Sequence, residues 1–502
     1  MRGRWPRVAA GVAVWLVLAL VLWPVLFTHS TARTVVASHD AVLHPTLGGK
    51  VQLDLGPYLP DVRFSSHHRI GVYVEVGKTT ATSGAELAQR YAAIAAHPDA
   101  EVDRISGQLV RLALDAALRA ALLALVPIGL WLLLGSRRRR ELVRVRPRVL
   151  GATAALLALG VVALVEPWHA DEDRVQAQSW LPVGEALPDL TVPRELRGWQ
   201  LEGGLVTSQT RRLVQSAFDT YATSKVFYDD VVEKVPDVGV GLHRPADGQT
   251  VALLVSDRHD NIGMDAVAKA IGDAGGASVV IDAGDDTSTG GEWESFSLDS
   301  LVKAFKGYDD RIAISGNHDN GTFVNRYLDR HGWTHLDGGA VSPFADVRID
   351  GVDDPRSSGL GSWRDEKGLT FGEVKEQIAD DVCEDDESGE RIATLVVHDA
   401  NLGATALARG CTDLVLAGHL HVQKGPTRVV GSNAKAGYSY TNGTTGGAAY
   451  SIALGSKLRR DAEVTLVTYA DGRPVGLQPV MIRTTGDIDV SAYTELDLDP
   501  SQ

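Results

Sequence analysis

Five short polar clusters constrain what this chain can fold into, because most follow directly on a β-like apolar run. They are Asp257-Arg258-His259 after Val251 to Val255, Gly284-Asp285 after Ser278 to Asp282, Gly316-Asn317-His318-Asp319, His398 after Thr394 to Val397, and Gly418-His419-Leu420-His421 after Asp413 to Leu416. A fold that serves all five must bring several buried strands to one edge. Open α/β architectures do so, since their ligand crevices form at the carboxyl ends of strands, where distant segments aim side chains at one point. Imidazole, carboxylate and carboxamide suit Mn, Fe or Zn, and a carboxylate between two ions can bridge them. Two ions roughly 3.5–4 Å apart stabilise both the attacking and the leaving oxygen of an in-line displacement at phosphorus.

Each cluster alone has an ordinary explanation. Asp257-x-His259 is a common pair of residues after a strand, and a lone His398 reads first as a satisfied, partly buried histidine. His419 and His421, two apart, leave an extended chain on one side. Structural histidines have no reason to keep all these partners in this order.

In that order the clusters resemble the motif series of the calcineurin-like metallophosphoesterases, D-x-H, G-D, G-N-H-[DE], H and G-H-x-H. The resemblance covers roughly residues 248 to 485. It implies one metal on Asp257, His259, Asp285 and His421, a second on Asp285, Asn317, His398 and His419, and a bridging Asp285. It further implies in-line attack on phosphorus by a metal-bound hydroxide. His318 would stabilise or protonate the leaving oxygen, with Asp319 orienting it. One departure is visible: family members often carry Asp or Asn three residues after the second-motif Asp, where this chain has Ser288. The implied fold is a two-sheet α/β/β/α sandwich. Strands alternating with helical stretches at Met264 to Ala274, Leu298 to Phe305, Thr322 to Arg330 and Glu373 to Val382 suit it, as does a strand run at Tyr438 to Thr441, Ala448 to Leu454, Ala462 to Tyr469 and Leu477 to Arg483.

A net charge of -15 leaves no broad basic surface for nucleic acid. Arginines gather beside apolar runs instead. Residues 8–27, 111–135 and 149–166 read as transmembrane helices, each long enough to cross or nearly cross a hydrocarbon core of roughly 30 Å. Arg2, Arg4 and Arg7 precede the first, and seven arginines from Arg137 to Arg148 fill the loop 136–148. The positive-inside rule makes 1–7 and 136–148 cytoplasmic, and everything after 167 extracytoplasmic. A buried helical hairpin is the competing reading of the second and third runs, and a signal peptide of the first, although Thr28 to Arg33 lacks an A-x-A site.

Residues 28–110 alternate as a small extracytoplasmic β-rich domain ending in a helix, and exposed structural histidines explain His67-His68. Residues 167–247 read as a Pro- and acid-rich tether followed by a helix with apolar spacing at Leu213, Phe218, Tyr221, Val226, Val231 and Val232. Domain 248–485 follows, and 486–502 is a tail. Cys383 and Cys411 either form a disulfide, which an oxidising compartment permits, or stay as buried thiols. The acidic stretch around Cys383 lacks a calcium-loop pattern and reads as a solvated loop. Gly290 to Trp293, Gly361 to Arg364 and Asn442 to Gly447 are loop candidates for substrate contact.

The expectation is a membrane-anchored dimetal phosphoester hydrolase, acting on a monoester or diester substrate that anchoring inclines toward lipid-linked or cell-envelope phosphates. The alternative is a non-catalytic binding or sensing protein that keeps the fold.

Overall fold

The structure is a computed structural model and describes residues 5–36, 38–55, 61–66, 68–79, 87, 90, 99–135, 137–139, 180–186, 198–202, 208–357, 369–448 and 457–499. The chain divides into two compact units, one of residues 1–84 and 98–215, the other of 85–97 and 216–502.

In the first unit, helix α1 (Trp5–Thr28) leads into strands β1 (Ala32–Val36), β2 (His39–Thr46), β3 (Lys50–Asp54), β4 (Val62–Ser65) and β5 (Gly71–Thr79). Helix α2 (Asp99–Leu133) follows, then strands β6 (Trp180–Pro182) and β7 (Gln200–Glu202). The seven strands form one sheet in the order β1-β2-β5-β3-β4-β7-β6. Alternation buries Ala41 and Leu43 of β2 against Val72 and Val74 of β5, a half-buried sheet pattern. The expected tether thus contributes two strands to this sheet. Three-residue strands carry too little alternation to be read in sequence, yet β7 satisfies an edge of β4 that would otherwise expose its N–H and C=O groups.

Helices α1 and α2 run antiparallel: the Trp15 indole N–H donates to the Ala121 carbonyl (2.8 Å) and that of Trp23 to the Ala113 carbonyl (3.0 Å). Both are long and apolar enough to cross a membrane. Most of the large exposed apolar side chains among the described residues lie on them, including Val17, Leu20, Leu114, Leu118 and Leu133. Asp115 and Arg119 pair at 2.7 Å, as their four-residue spacing predicts. The run at 149–166 lies outside the described residues.

Asp61 makes this sheet pH-sensitive. Burial, with Asp54 and Glu202 nearby, raises its carboxyl to about 6 from an ordinary 3.8. The folded state therefore holds this proton more tightly than the unfolded chain does. Its contribution to stability is complete below pH about 4 and is lost as pH rises through about 6. Asp61→Asn keeps an oxygen for the Leu55 N–H and is expected to slow amide exchange in β4 at pH 7.5 but not at pH 4. Equal exchange in both proteins at pH 7.5 would refute this.

The longer segment of the second unit, 216–502, begins within helix α3 (Ser208–Val238), which buries Phe227, Tyr228, Val231 and Val235. Val226, expected to face the core, is exposed, one position off the buried stripe. Chain order then gives β8 (Thr250–Val255), α4 (Gly263–Ala274), β9 (Ala277–Asp282), α5 (Ser295–Phe305), β10 (Asp310–Ala313), α6 (Phe323–Arg330), β11 (Thr334–His335) and β12 (Ile349–Val352). After these come α7 (Phe371–Glu387), β13 (Ile392–Val397), α8 (Ala400–Arg409), β14 (Thr412–Ala417), β15 (Lys424–Val430), β16 (Ala436–Thr441), β17 (Ala462–Ala470), β18 (Arg473–Ile482), β19 (Ile488–Val490) and β20 (Thr494–Glu495).

These strands make two sheets, β11-β10-β9-β8-β17-β18-β19 with β20 also on β18, and β12-β13-β14-β16-β15. Between the sheets pack Leu254 and Ile281 of the first with Leu414, Leu416 and Tyr440 of the second. The outer face of the first sheet is covered by α3 to α6: Met264, Val267, Ala268 and Ile271 of α4, spaced i, i+3, i+4, i+7, bury as one stripe. Helices α7 and α8 cover the second sheet. The result is the α/β/β/α sandwich expected. The first sheet runs past residue 485, because β19 and β20 from the expected tail pair with β18. Ala448 lies in a turn region outside any strand, and the rest of the strand expected to follow it falls outside the described residues.

The acidic stretch expected as a loop belongs to α7. Thr370 caps that helix reciprocally with Glu373, and the carboxylates pair outward, Asp380 with Arg409 and Asp386 with Arg391 and Lys435. Cys383 of α7 and Cys411 before β14 form a disulfide with Cα atoms 5.0 Å apart. Closing a loop of 28 residues is worth about 3–4 kcal/mol in the chain-entropy relation. Replacing both cysteines with serine should lower the denaturation midpoint of the oxidised protein accordingly; an unchanged midpoint would contradict it.

Candidate metal centre

The parallel strands β8, β9 and β10 of one sheet and β13 and β14 of the other deliver the expected residues from their carboxyl ends. Five of the seven expected ligands hold a left-handed backbone: Asp257 (φ 53°), His259 (47°), Asp285 (59°), His419 (73°) and His421 (54°). Such conformations in non-glycine residues are strained and concentrate at functional sites. Main-chain bonds zip the loops together, Asp257 N–H to the Gly284 carbonyl (2.8 Å) and His259 N–H to the Asp285 carbonyl (3.0 Å). Close approach explains two motif glycines. A Cβ on Gly316 would stand 2.2 Å from Asp285 Oδ1, and one on Gly418 2.5 Å from Asp257 Oδ2.

Two triads emerge whose donor atoms all lie within 4.8 Å of one another: Asp257, His259 and His421, and Asp257, Asp285 and His398. His421 Nε2 is 3.3 Å from Asp257 Oδ1. Asp285 Oδ2 lies 3.2 Å from His398 Nε2 and 3.7 Å from His259 Nε2, between the two groups. His419 stands beside His398, ring centroids 5.1 Å apart, and its N–H donates to both oxygens of Asp257 at 3.0 Å. Asn317 is buried in the loop whose next N–H, that of His318, donates to Asp285 Oδ1 at 2.7 Å.

Imidazole tautomers follow from the carbonyls they touch. The Nδ1 of His398 meets the Ala283 carbonyl (2.7 Å), that of His421 the Ala448 carbonyl (3.0 Å) and that of His318 the Ser288 carbonyl (3.1 Å). A carbonyl only accepts, so each Nδ1 carries a proton, and the Nε2 of His398 and His421 faces inward toward the carboxylates. His259 Nε2 and His421 Nε2 are 3.0 Å apart, an arrangement that calls for a proton or a cation near both. His259 Nδ1 is buried without a hydrogen bond.

The carboxylates draw positive charge into the site. Burial lowers His259 to about 4. Burial also opposes charge on His398, but Asp285 and Asp257 lift it to about 10. Burial disfavours ionisation of Asp285, yet His398 and His259 hold it well below the carboxylate range. Ionised carboxylates and imidazole nitrogens that would exchange a proton for a metal form a donor set that fits divalent cations.

Asp319 accepts the N–H groups of Asp285 (2.8 Å), Thr287 (2.9 Å) and Gly316 (3.0 Å). It ties the second and third clusters together, while the carbonyl of Ser288 steers His318. Burial beside Asp286 and Asp285 raises Asp319 to about 7. Arg258, the middle residue of the first cluster, is wholly buried and bridges Asp265 (2.8 Å) and Asp286 (3.0 Å); a cation inside a buried motif is the signal that could have found it. Trp293, expected at the substrate, is buried with the Arg90 guanidinium 4.0 Å from its ring centre. The Asn442–Gly447 turn supports the site from behind, Thr444 Oγ1 donating to the Asp257 carbonyl at 2.8 Å. Gly361 to Arg364 lie outside the described residues.

Residues 251–423 match the family model described as calcineurin-like phosphoesterase. That segment is a calcineurin-like phosphoesterase domain. No curated protein matches the chain. Among solved structures, the chain is similar to a 5'-nucleotidase precursor from Thermus thermophilus (14% identity, 47% of this chain and 54% of that one, TM-score 0.31). Others are the NAD nucleotidase NadN of Haemophilus influenzae (14%, 49% and 50%, 0.30) and the sulfate thiohydrolase SoxB of Thermus thermophilus (16%, 47% and 44%, 0.30). The chain spans about half the length of each.

Proposed function

We propose that this chain is a membrane-anchored, two-metal phosphoester hydrolase whose catalytic domain works outside the cytoplasm. The observation that carries the reading is the pair of triads, with imidazole Nε2 atoms turned inward by the carbonyls behind them, at the carboxyl edge of two sheets. Asp257, His259, Asp285 and His421 would hold one ion, and Asp285, Asn317, His398 and His419 the other, with Asp285 shared. Bound there, two divalent ions (Mn, Fe or Zn) supply Lewis acidity toward phosphoryl oxygens and a water acidic enough to react near neutral pH. The protein's own contribution is orientation. His318, its Nδ1 proton held on Ser288, presents Nε2 beside His259, ring centroids 5.0 Å apart, to stabilise or protonate the leaving oxygen. Asp319 keeps the loops under it in register.

The pairing of β4 with β7 supports the topology. Strands in one sheet lie on one side of a membrane, so if α2 crosses, the chain must cross back before Trp180. The apolar run 149–166 would supply that return. The antiparallel α1 and α2 then leave Arg2, Arg4, Arg7 and the Arg137–Arg148 loop on the same, cytoplasmic, side. Anchoring favours substrates of the membrane or cell envelope, lipid-linked phosphates first.

The test is hydrolysis of a nitrophenyl monoester, a bis-nitrophenyl diester and a cyclic nucleotide by the full chain with Mn, Fe, Zn or no metal. His318→Ala should lower kcat by about 10²–10⁴-fold with metal content retained; metal loss would mean that His318 is a ligand. Bound metal without turnover of any compound, lipid-linked phosphates included, would favour a binding protein. A reporter fused after Gln502 should be active only as an exported enzyme.

A further inference from the structure

We propose that Arg356 reads the terminal phosphate of the substrate, so that the site prefers phosphomonoesters to diesters; this rests on the hydrolase reading above. Arg356 follows β12 and carries no motif that marks it in sequence. Its guanidinium is held by three devices. Nε donates to Asp354 Oδ1 (2.9 Å) and Nη2 to Asp354 Oδ2 (2.6 Å), a fork on a carboxylate that is itself fully buried. Nη2 also donates to Asp399 Oδ2 at 3.0 Å. The Phe371 ring lies against one face, its centre 4.6 Å from Cζ.

A guanidinium has five N–H donors. These contacts use three of them, and the pair on Nη1 meets no acceptor among the described residues. The side chain is 30% exposed, so that pair is reachable. It is also close to the metal centre: Asp399 Oδ2, which takes one Nη2 hydrogen, is 3.9 Å from His419 Nε2. A planar guanidinium whose torsions are already fixed loses little further freedom when it binds an anion.

The chemistry decides which anion. A phosphodiester offers two non-bridging oxygens, one for each ion of a two-metal site. A monoester carries a third and needs another donor for it. Nη1 of Arg356 is that donor, and because Asp354 and Asp399 balance its charge, it selects by direction more than by long-range attraction.

The test compares full-length protein in detergent, loaded with Mn, with R356A and R356K. Metal content is measured on each. Rates are read on nitrophenyl phosphate and bis-nitrophenyl phosphate, and binding by calorimetry of inorganic phosphate and dimethyl phosphate. The ratio of monoester to diester kcat/KM should fall about 10- to 100-fold in R356A, the range expected for one hydrogen bond to a charged group. Affinity for inorganic phosphate should fall similarly relative to dimethyl phosphate, and R356K should lie between. A ratio within about twofold of the parent, or loss of metal in both variants, overturns the proposal. Parent protein that binds phosphate through Arg356 but hydrolyses neither ester sinks the hydrolase reading and leaves this one standing. Parent protein that does neither sinks both.

Discussion

Asp285→Asn is expected to abolish metal-dependent turnover and to strip both ions together. Its Oδ2 lies between His398 and His259, at 3.2 and 3.7 Å, while its Oδ1 accepts the His318 N–H. Asparagine keeps the shape but removes the negative charge that two cations would share, and it replaces an acceptor oxygen with an NH₂ donor. Changes to outer-shell partners alone cost roughly 10- to 100-fold in metal affinity, so loss of the shared ligand should exceed about 100-fold. Metal analysis after dialysis is the measurement. Retention of one full equivalent would show that Asp257, which belongs to both triads, is the true bridge.

Arg258→Ala should be the most damaging substitution for stability. It removes a wholly buried cation from between Asp265 and Asp286, both buried, and from the Ser297 carbonyl. Breaking a buried pair by deleting one partner costs about 3–5 kcal/mol because the other charge is left uncompensated. Denaturant unfolding would read this directly, and adding Asp265→Ala should recover part of it. A cost under about 1 kcal/mol would mean that water reaches the carboxylates.

The polar clusters that meet at this edge were legible because strand exits announce themselves: a short apolar run followed by Asp, Asn or His says both where the chain emerges and what it carries. The carbonyls of Ala283, Ser288 and Ala448, which orient three imidazoles, were not, since a main-chain acceptor has no residue identity. Trp293 misled for a related reason. Glycines beside an aromatic suggest an open loop, whereas Glu294 gathers the N–H groups of Ser288, Thr289 and Gly291 and packs the turn shut. Helix α7, expected over Glu373 to Val382, runs on through the acidic residues to Glu387, and the Thr370–Glu373 capping box marks its start. Arg356 could not be recognised, its role depending on which donors its neighbours leave over.

The sheet of the first unit has a consequence for biosynthesis. Arg63 of β4 and its partner Gln200 of β7 are 137 residues apart, which at ribosomal speeds of about 5–20 residues per second is roughly 7 to 27 s of synthesis. Throughout that interval β4 is an open edge awaiting a strand not yet made. Any chain that stalls or is cut before Gln200 therefore exposes a pairing surface to its neighbours, and that open edge marks the incomplete protein.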